Sequence, residues 1–238
     1  MQNILQKQIS SFIQFTQLDP RVTKEQIIKH VELCKKYNFD AAMIAPCWIP
    51  LTKDILQGTS VKTASFIDFG MGNLNVSGKV ALIQDLRKHG ADEIDYAPNM
   101  GYFLSKMYDE FYSEAKELVR AAEEMPLKVM LQIGMIQGID EKKRAIHLLE
   151  DAGVAWIKNS SGGWPPGATK ATVEDIRLIK SALSGKSRVK ASGGINNYAI
   201  ATALINAGAE LLGTSNALEI VGAEETKPSE PDVTDKTY

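Results

Sequence analysis

The chain has 238 residues and a formal net charge of −2, from 27 basic and 29 acidic side chains. A charge this close to zero does not favour a nucleic acid as the partner, and it fits a small-molecule site better. No apolar run approaches the ~20 residues that span a bilayer, and the first residues lack the pattern of a signal peptide. The two cysteines form neither a zinc motif nor a disulfide framework. We therefore expect a cytoplasmic protein with no metal, membrane or nucleic-acid partner.

Short apolar runs recur along the chain and predict β-strands. Eight of them lie at residues 11–15, 39–46, 61–67, 93–96, 127–133, 155–158, 188–190 and 211–214. Helical patterns separate them: one opens at Thr23, a short one ends near Gly58, and the others lie at about residues 75–89, 102–124, 140–153, 172–183, 196–208 and 215–221. Asp140 is the predicted cap of its helix, and Asn196 or Asn197 is the predicted cap after strand seven.

The alternation of strands and helices predicts an α/β fold. The strands are continuous apolar runs, which is typical of a parallel sheet covered by helices. Eight such units in about 220 residues favour a single (β/α)8 TIM barrel over an open doubly wound sheet, which remains the alternative. We assign residues 1–221 to this barrel domain. Residues 222–238 are polar, hold five acidic side chains and end in Tyr238, which predicts a mobile C-terminal tail.

Two lysines and an aspartate fall at predicted strand ends, where a barrel carries its functional groups. Lys158 ends strand six, Lys190 lies in strand seven, and Asp95 lies in strand four. Two neighbouring ammonium groups would each disfavour the protonation of the other, and a neutral lysine amine can attack a carbonyl to form a Schiff base. Asp95 could hold one lysine charged or move protons. The alternative is structural: each lysine reaches solvent or pairs with Asp95 without chemistry.

Glycine-rich turns follow the last two predicted strands. Gly193 and Gly194 come after strand seven, and residues 213–215 come after strand eight. Barrels often bind phosphate at these two loops through backbone N–H groups and a helix N-terminus. The sequence therefore predicts a phosphate subsite beside the two lysines.

Several segments, in order along the chain, resemble the motifs of the deoxyribose-phosphate aldolase family. They are residues 46–58, 93–95, 158–162, 168–169 with 172–175, 189–195, and 207–209 with 213–215. The most specific are Lys-Asn-Ser-Ser-Gly at 158–162 and Val-Lys-Ala-Ser-Gly-Gly at 189–194. The resemblance implies a TIM barrel that is a class I, metal-free aldolase without a cofactor. It further implies cleavage of 2-deoxy-D-ribose 5-phosphate into acetaldehyde and D-glyceraldehyde 3-phosphate, and a homodimer.

The resemblance also implies roles for particular residues. Lys158 matches the Schiff-base lysine, Lys190 the second lysine that perturbs it, and Asp95 the acid of the proton relay. Tyr238 resembles a terminal tyrosine that assists proton transfer in some members. The positions that match substrate- or phosphate-binding residues are Thr16, Gly162, Gly193, Gly194, Asn196, Ser215 and Asn216.

Departures from the family pattern lie around the substrate rather than at the lysines. Gln14 replaces an Asp, which predicts an altered contact with a substrate hydroxyl. Asn196 replaces an Arg and Asn216 a Ser, so the phosphate pocket loses a cation and a hydroxyl. The loop after Lys158 is longer and includes Trp164. Two alternatives stay open: an aldolase of this family with a different aldehyde pair, and a sugar-phosphate-binding barrel without turnover.

An isomerase on a phosphate-binding barrel is a further alternative, but the sequence offers it no suitable base. His30, His89 and His147 all fall within or at the end of predicted helices. A solvated or core role fits histidines there better than catalysis.

Overall fold

The computed structural model describes residues 9–162, 165 and 167–222. Their strands close into one parallel barrel in sequence order, and β1 pairs with both β2 and β8. The strands are β1 Ile13–Gln17, β2 Ala41–Ile44, β3 Lys62–Ile67, β4 Glu93–Tyr96, β5 Leu127–Met130, β6 Trp156–Lys158, β7 Arg188–Ser192 and β8 Leu211–Thr214. The predicted (β/α)8 barrel is thus confirmed, and the open sheet is wrong.

Helices connect successive strands and cover the outside of the barrel. In the described ranges they are α1 Lys24–Tyr37, α2 Ile49–Ile55, α3 Val76–Lys88, α4 Met100–Leu104, α5 Tyr108–Ala122, α6 Ile139–Asp151, α7 Val173–Ala182, α8 Tyr198–Asn206 and α9 Ala217–Ile220. Two 3₁₀ turns, Pro46–Trp48 and Ile133–Met135, follow β2 and β5. None of the helices in this part of the chain is long and apolar enough to cross a bilayer.

Several element boundaries differ from the predictions. β1 begins and ends two residues later than predicted, so Gln14 and Thr16 both lie within it. The helix predicted at 102–124 is two helices, because Lys106 has φ +61°, a left-handed conformation that ends α4. The chain then turns back, and Phe103 packs edge-on against Phe111 with ring centroids 5.1 Å apart.

The two predicted helix caps have different outcomes. Asn197 caps α8 by accepting a hydrogen bond from the backbone N–H of Ile200, so the choice between Asn196 and Asn197 is settled. Asp140 lies inside the first turn of α6, and the N-cap is Gly138, so that cap assignment is wrong. The acid there still favours the positive end of the helix dipole. The predicted tail lies outside the described residues beyond Gly222, and its mobility stays a prediction.

A buried lysine connects the segments that follow the carboxyl ends of β3 and β4. Lys79 is 0% exposed and its Nζ lies 2.8 Å from Glu114 Oε1 and 3.5 Å from Asp68 Oδ2. It also donates to the carbonyls of Gly72 and Ala97. These bonds fix the segment from residue 68 to residue 72, which follows β3.

Removing this lysine should be costly for stability. We expect Lys79→Met to lower the free energy of unfolding by about 3–5 kcal/mol, because it leaves buried carboxylates without their partner. Urea denaturation measures the loss. Lys186→Met is the matched control, since the Lys186–Asp151 pair is 69% and 64% exposed and should matter little. An equal loss in both variants would contradict the buried-pair explanation.

Candidate active site

A cavity of about 170 Å³ opens at the carboxyl ends of the strands, and its walls are of two kinds. One wall is apolar and consists of Leu18, Met43, Phe66 and Phe69. The other wall contains charged and polar side chains and glycine-rich turns. Its residues are Thr16, Asp95, Lys158, Gly162, Ser192, 193–194 and 213–216. The size suits a small metabolite rather than a polymer. The strand geometry explains the location, because parallel strands bring their carboxyl ends to one face.

Asp95 joins the two predicted lysines. Its Oδ2 accepts hydrogen bonds from Lys158 Nζ at 2.9 Å and from Lys190 Nζ at 2.8 Å. Since both amines contact one oxygen, the two nitrogens are less than about 6 Å apart, which is close enough for strong electrostatic coupling. The three groups predicted from strand ends therefore form one buried cluster.

The register of β6 and β7 keeps the lysines side by side. Lys158 and Lys190 are paired across the two strands. Asn159 strengthens this alignment just beyond Lys158, since its Oδ1 accepts from the Ser192 N–H at 2.8 Å and its Nδ2 donates to the Ser192 carbonyl at 3.1 Å. A side-chain amide thus continues the backbone pairing where β6 stops.

The two lysines differ in access to the cavity. Lys158 lines it and is 5% exposed, whereas Lys190 is 1% exposed and is not among the described residues that line it. A substrate in the cavity meets the Lys158 amine first. Geometry thus favours Lys158 as the nucleophile and Lys190 as the group behind it.

A second tier of charged groups lies below this cluster, and the sequence interpretation missed it. Lys128, on β5, is fully buried, and its Nζ lies 2.5 Å from Glu93 Oε2 and 3.8 Å from Asp95 Oδ1. The run Leu-Lys-Val-Met at 127–130 did carry a signal, since a lysine in an apolar strand needs a buried partner. Glu93 likewise preceded Asp95 by two positions on β4 and so faces the same side.

Gln14 has a different place from the one predicted. It is 0% exposed, and its side chain lies among the buried charges. Its Oε1 accepts from Lys190 Nζ at 2.6 Å, and its Nε2 donates to Asp40 Oδ2 and Glu93 Oε1, both at 2.8 Å. The predicted consequence, an altered contact with a substrate hydroxyl, is therefore corrected: the replacement acts on Lys190. Thr16, two residues on, does line the cavity.

Burial and neighbouring charges set the protonation of the cluster. Burial raises the pKa of Asp95, but Lys158, Lys190 and Lys128 outweigh it and hold that pKa well below its ordinary value. Burial lowers the pKa of Lys190 to about 7; Asp95 opposes the shift, while Lys158 and Lys128 add to it. Asp95 is therefore ionised at neutral pH, and Lys190 is close to half neutral.

The glycine loops pack against each other at the far end of the cavity. Gly193 has φ +97°, and a Cβ there would lie 2.9 Å from Gly162 Cα; Gly162 has φ +105°, so both positions favour glycine. Their backbone groups can therefore approach a ligand closely. Ser215 and Asn216 line the same part of the cavity.

Lys170 was not predicted but lies against this glycine pair. A Cβ on Gly194 would be 2.9 Å from Lys170 Cδ, so the aliphatic part of the lysine runs along Gly194. The residues on either side are held, since Thr169 O accepts from Ser160 Oγ at 2.5 Å and the Ala171 N–H donates to Gly193 O at 3.0 Å. The aliphatic part of an exposed lysine thus lies next to the predicted phosphate loops, and Lys170 itself is not among the described residues that line the cavity.

Two of the predicted site residues, Asn196 and Tyr238, are not among the described residues that line the cavity. Asn196 is exposed, its Oδ1 accepts from Asn197 Nδ2 at 3.1 Å, and it is not among the described cavity residues. Its part in phosphate binding stays a prediction. Tyr238 lies outside the described residues, so its part in proton transfer stays a prediction too. Within the described ranges, no three His, Cys, Asp or Glu side chains are grouped so that they could hold a metal ion.

The chain is similar to known proteins over most of its length. It is 35% identical over 214 residues to a deoxyribose-phosphate aldolase of Dictyoglomus turgidum, which covers 90% of this chain and 96% of the relative. It is 36% identical over 218 residues to one of Thermococcus kodakarensis, with 90% and 96% covered. No family model matches the chain.

Solved structures agree with these relatives. The aldolase QR15 superposes with a TM-score of 0.83 at 30% identity, covering 90% of this chain and 94% of that one. The tetrameric deoxyribose phosphate aldolase of Aeropyrum pernix superposes with a TM-score of 0.79 at 27% identity, covering 92% and 91%. The similarity covers about nine-tenths of the chain and not the lysine motifs alone.

Proposed function

Because the chain belongs to the deoxyribose-phosphate aldolase family, we propose that it is a class I aldolase that cleaves 2-deoxy-D-ribose 5-phosphate. The products are acetaldehyde and D-glyceraldehyde 3-phosphate. One observation carries the proposal: the Lys158 amine faces the cavity while it shares Asp95 Oδ2 with a second, deeper lysine.

The proposed reaction begins at Lys158. Its neutral amine attacks C1 of the open-chain aldehyde, and loss of water from the resulting carbinolamine gives an iminium ion. A base then removes the proton of the C3 hydroxyl, C2–C3 breaks, and the electron pair of that bond forms an enamine with the iminium. Glyceraldehyde 3-phosphate leaves as C3 becomes a carbonyl. Protonation of the enamine at C2 and addition of water release acetaldehyde and free Lys158.

Asp95 and Lys190 supply the proton transfers in this scheme. Lys190 with a pKa of about 7 can accept and return a proton at neutral pH. Asp95 Oδ2 is occupied by the two lysines, but Oδ1 has no hydrogen-bond partner among the described residues. Oδ1 is itself buried and faces Lys128 at 3.8 Å in the deeper tier, so Asp95 acts on the reaction through the two lysine amines.

A coupled assay for glyceraldehyde 3-phosphate tests the function directly. We expect turnover of deoxyribose 5-phosphate by the purified chain without added metal. A barrel that binds the sugar phosphate but releases no product would replace this proposal with the non-catalytic alternative. A panel of acceptor aldehydes distinguishes the remaining alternative, a different aldehyde pair, because the apolar wall of Leu18, Met43, Phe66 and Phe69 can select for the acceptor.

The activity should depend on the protonation of Lys190. We expect kcat/KM to rise with pH and to level off above a midpoint near 7, since the protonated amine below that pH cannot accept a proton. Lys190→Met should lower kcat by about 10³-fold and remove this midpoint. The measurement is kcat/KM from about pH 5 to about pH 9. A flat wild-type profile through neutrality would exclude this role for Lys190.

The phosphate is proposed to lie at the glycine loops, with Lys170 as its cation. Backbone N–H groups after β7 and β8 provide neutral donors, and Lys170 provides the charge that Asn196 lacks. Lys170→Met should then lower kcat/KM for the 5-phosphate by about tenfold and leave kcat/KM for unphosphorylated deoxyribose unchanged. An equal decrease in kcat/KM for both substrates would mean that Lys170 does not bind the phosphate.

Two further properties are proposed on family grounds. We expect a homodimer in the cytoplasm, although the Aeropyrum pernix relative is described as a tetramer. Light scattering of the purified chain gives the subunit number.

A further inference from the structure

Gln14 has an unusual position for an amide, between the catalytic amine and two buried acids. It lies on β1, and its neighbours Asp40 and Glu93 come from just before β2 and from β4. The orientation of the amide follows from its partners. Carboxylates accept hydrogen bonds and do not donate them, so Nε2 must face Asp40 and Glu93, and Oε1 must face the amine of Lys190.

This orientation makes Gln14 a neutral acceptor for Lys190. The Lys190–Gln14 contact, at 2.6 Å, is shorter than the 2.8 Å contact to Asp95. Asp40 and Glu93 are themselves held by cations, since Lys62 lies 2.7 Å from Asp40 and Lys128 lies 2.5 Å from Glu93. Hydrogen bonds therefore hold both Nε2 and Oε1 of the Gln14 amide, and Oε1 fixes the position of the Lys190 Nζ.

The groups around Lys190 are few enough to name. Asp95 reaches it from β4, Lys158 from β6, Lys128 from β5 and Gln14 from β1. On β8, Gly213 presents no side chain, and a Cβ there would come within 3.2 Å of Lys190 Cε. Asp95 is thus the one carboxylate that touches the amine among the described residues. A carboxylate at position 14 would be a second.

We propose that Gln14 is a positioning residue whose amide holds the Lys190 amine beside Asp95 without adding a charge, and so sets the pH at which Lys190 can accept a proton. The inference rests on the proposed aldolase function. It goes further in assigning a role to a residue that does not touch the substrate.

Two substitutions should move the pH profile in opposite directions. Gln14→Glu replaces the Nε2 donor by a carboxyl oxygen that faces Asp40 and Glu93, and the added negative charge of this acidic group favours the Lys190 ammonium and should raise the midpoint of kcat/KM by about one pH unit or more. Gln14→Met keeps a similar volume but removes the acceptor, which disfavours the ammonium and should lower the midpoint. KM should stay within about twofold in both, because the side chain lies outside the cavity.

The Glu variant provides a second readout. At pH 7 its kcat should fall about tenfold, and it should recover most of that loss at about pH 9, where Lys190 is again neutral. A loss caused by disturbed packing alone would persist at every pH. Circular dichroism and thermal melting show whether each variant folds, and if one does not, the direction of the shift in the other decides.

The experiment is the pH profile of kcat/KM for wild type, Gln14→Glu and Gln14→Met, with borohydride trapping of each. Opposite shifts, upward for Glu and downward for Met, support the proposal. An unchanged midpoint, or a shift in the reverse direction, in a folded variant overturns it. If the wild type itself forms no adduct at Lys158 and releases no product, the aldolase function fails instead, so the two failures are distinguishable.

Discussion

Lys158→Met is expected to abolish both turnover and covalent trapping. Without the amine no iminium forms, so the loss in kcat should be about 10⁴-fold or more. With acetaldehyde and borohydride, the wild type should gain one reduced two-carbon adduct, and peptide mass spectrometry should locate it on Lys158. The variant should gain none. The cavity position of Lys158, in contrast to buried Lys190, is the reason for assigning the adduct to it.

Two controls make this result specific. Lys186→Met removes an exposed lysine from the surface pair with Asp151 and should keep both the adduct and the activity. Lys190→Met should still be trapped at Lys158, although slowly, because its role is proton transfer and not attack. An adduct on Lys190 in the wild type would reverse the two assignments, and an unmodified Lys158 under conditions that trap a known aldolase would refute the Schiff base.

Asp95→Asn should produce a loss of activity about as large as that of Lys190→Met. The substitution keeps the shape but removes the charge that both lysines share, and kcat should fall about 10³-fold, within the range for a group that moves protons. The midpoint of the remaining activity should also fall, because Asp95 favours protonated Lys190. Measuring kcat against pH, together with borohydride trapping, separates the two effects.

The trapping result distinguishes a catalytic carboxylate from a structural one. If Asp95 moves protons, the variant should still form the Lys158 adduct while failing to turn over. Asp151→Asn is the matched control, since Asp151 is an exposed acid with one surface partner. Loss of the adduct together with the fold, seen as an early thermal melt, would mean that Asp95 serves to hold the lysines in place.

The buried cluster and the glycine loops show where sequence interpretation was sufficient. Lys158, Lys190 and Asp95 were found because a charged residue in an apolar strand is chemically costly and because strand ends of a barrel share one face. The glycine pair at 193–194 was found for a related reason, since its position after strand seven matches a known way of holding phosphate.

The residues that were missed or misplaced depend on distance in space. Gln14 and Lys190 are 176 positions apart in the chain, and no local pattern links them. Lys170 follows a loop longer than the family pattern, so its contact with Gly194 depends on how that loop folds back. The break between α4 and α5 depends likewise on Phe103 meeting Phe111, a contact that periodicity does not reveal.

The sequence by itself determined the barrel, the order of its strands and the three residues that form the buried cluster, Asp95, Lys158 and Lys190. It did so because strand and helix periodicity are local and because a parallel α/β alternation of eight units has few ways to close. The tertiary structure showed that Lys158 lines the cavity and that Lys190 lies buried behind it. It also placed Gln14 against Lys190 and outside the cavity, because residues 176 positions apart meet only when the barrel closes. The proposed effect of Gln14 on the protonation of Lys190 follows from this contact.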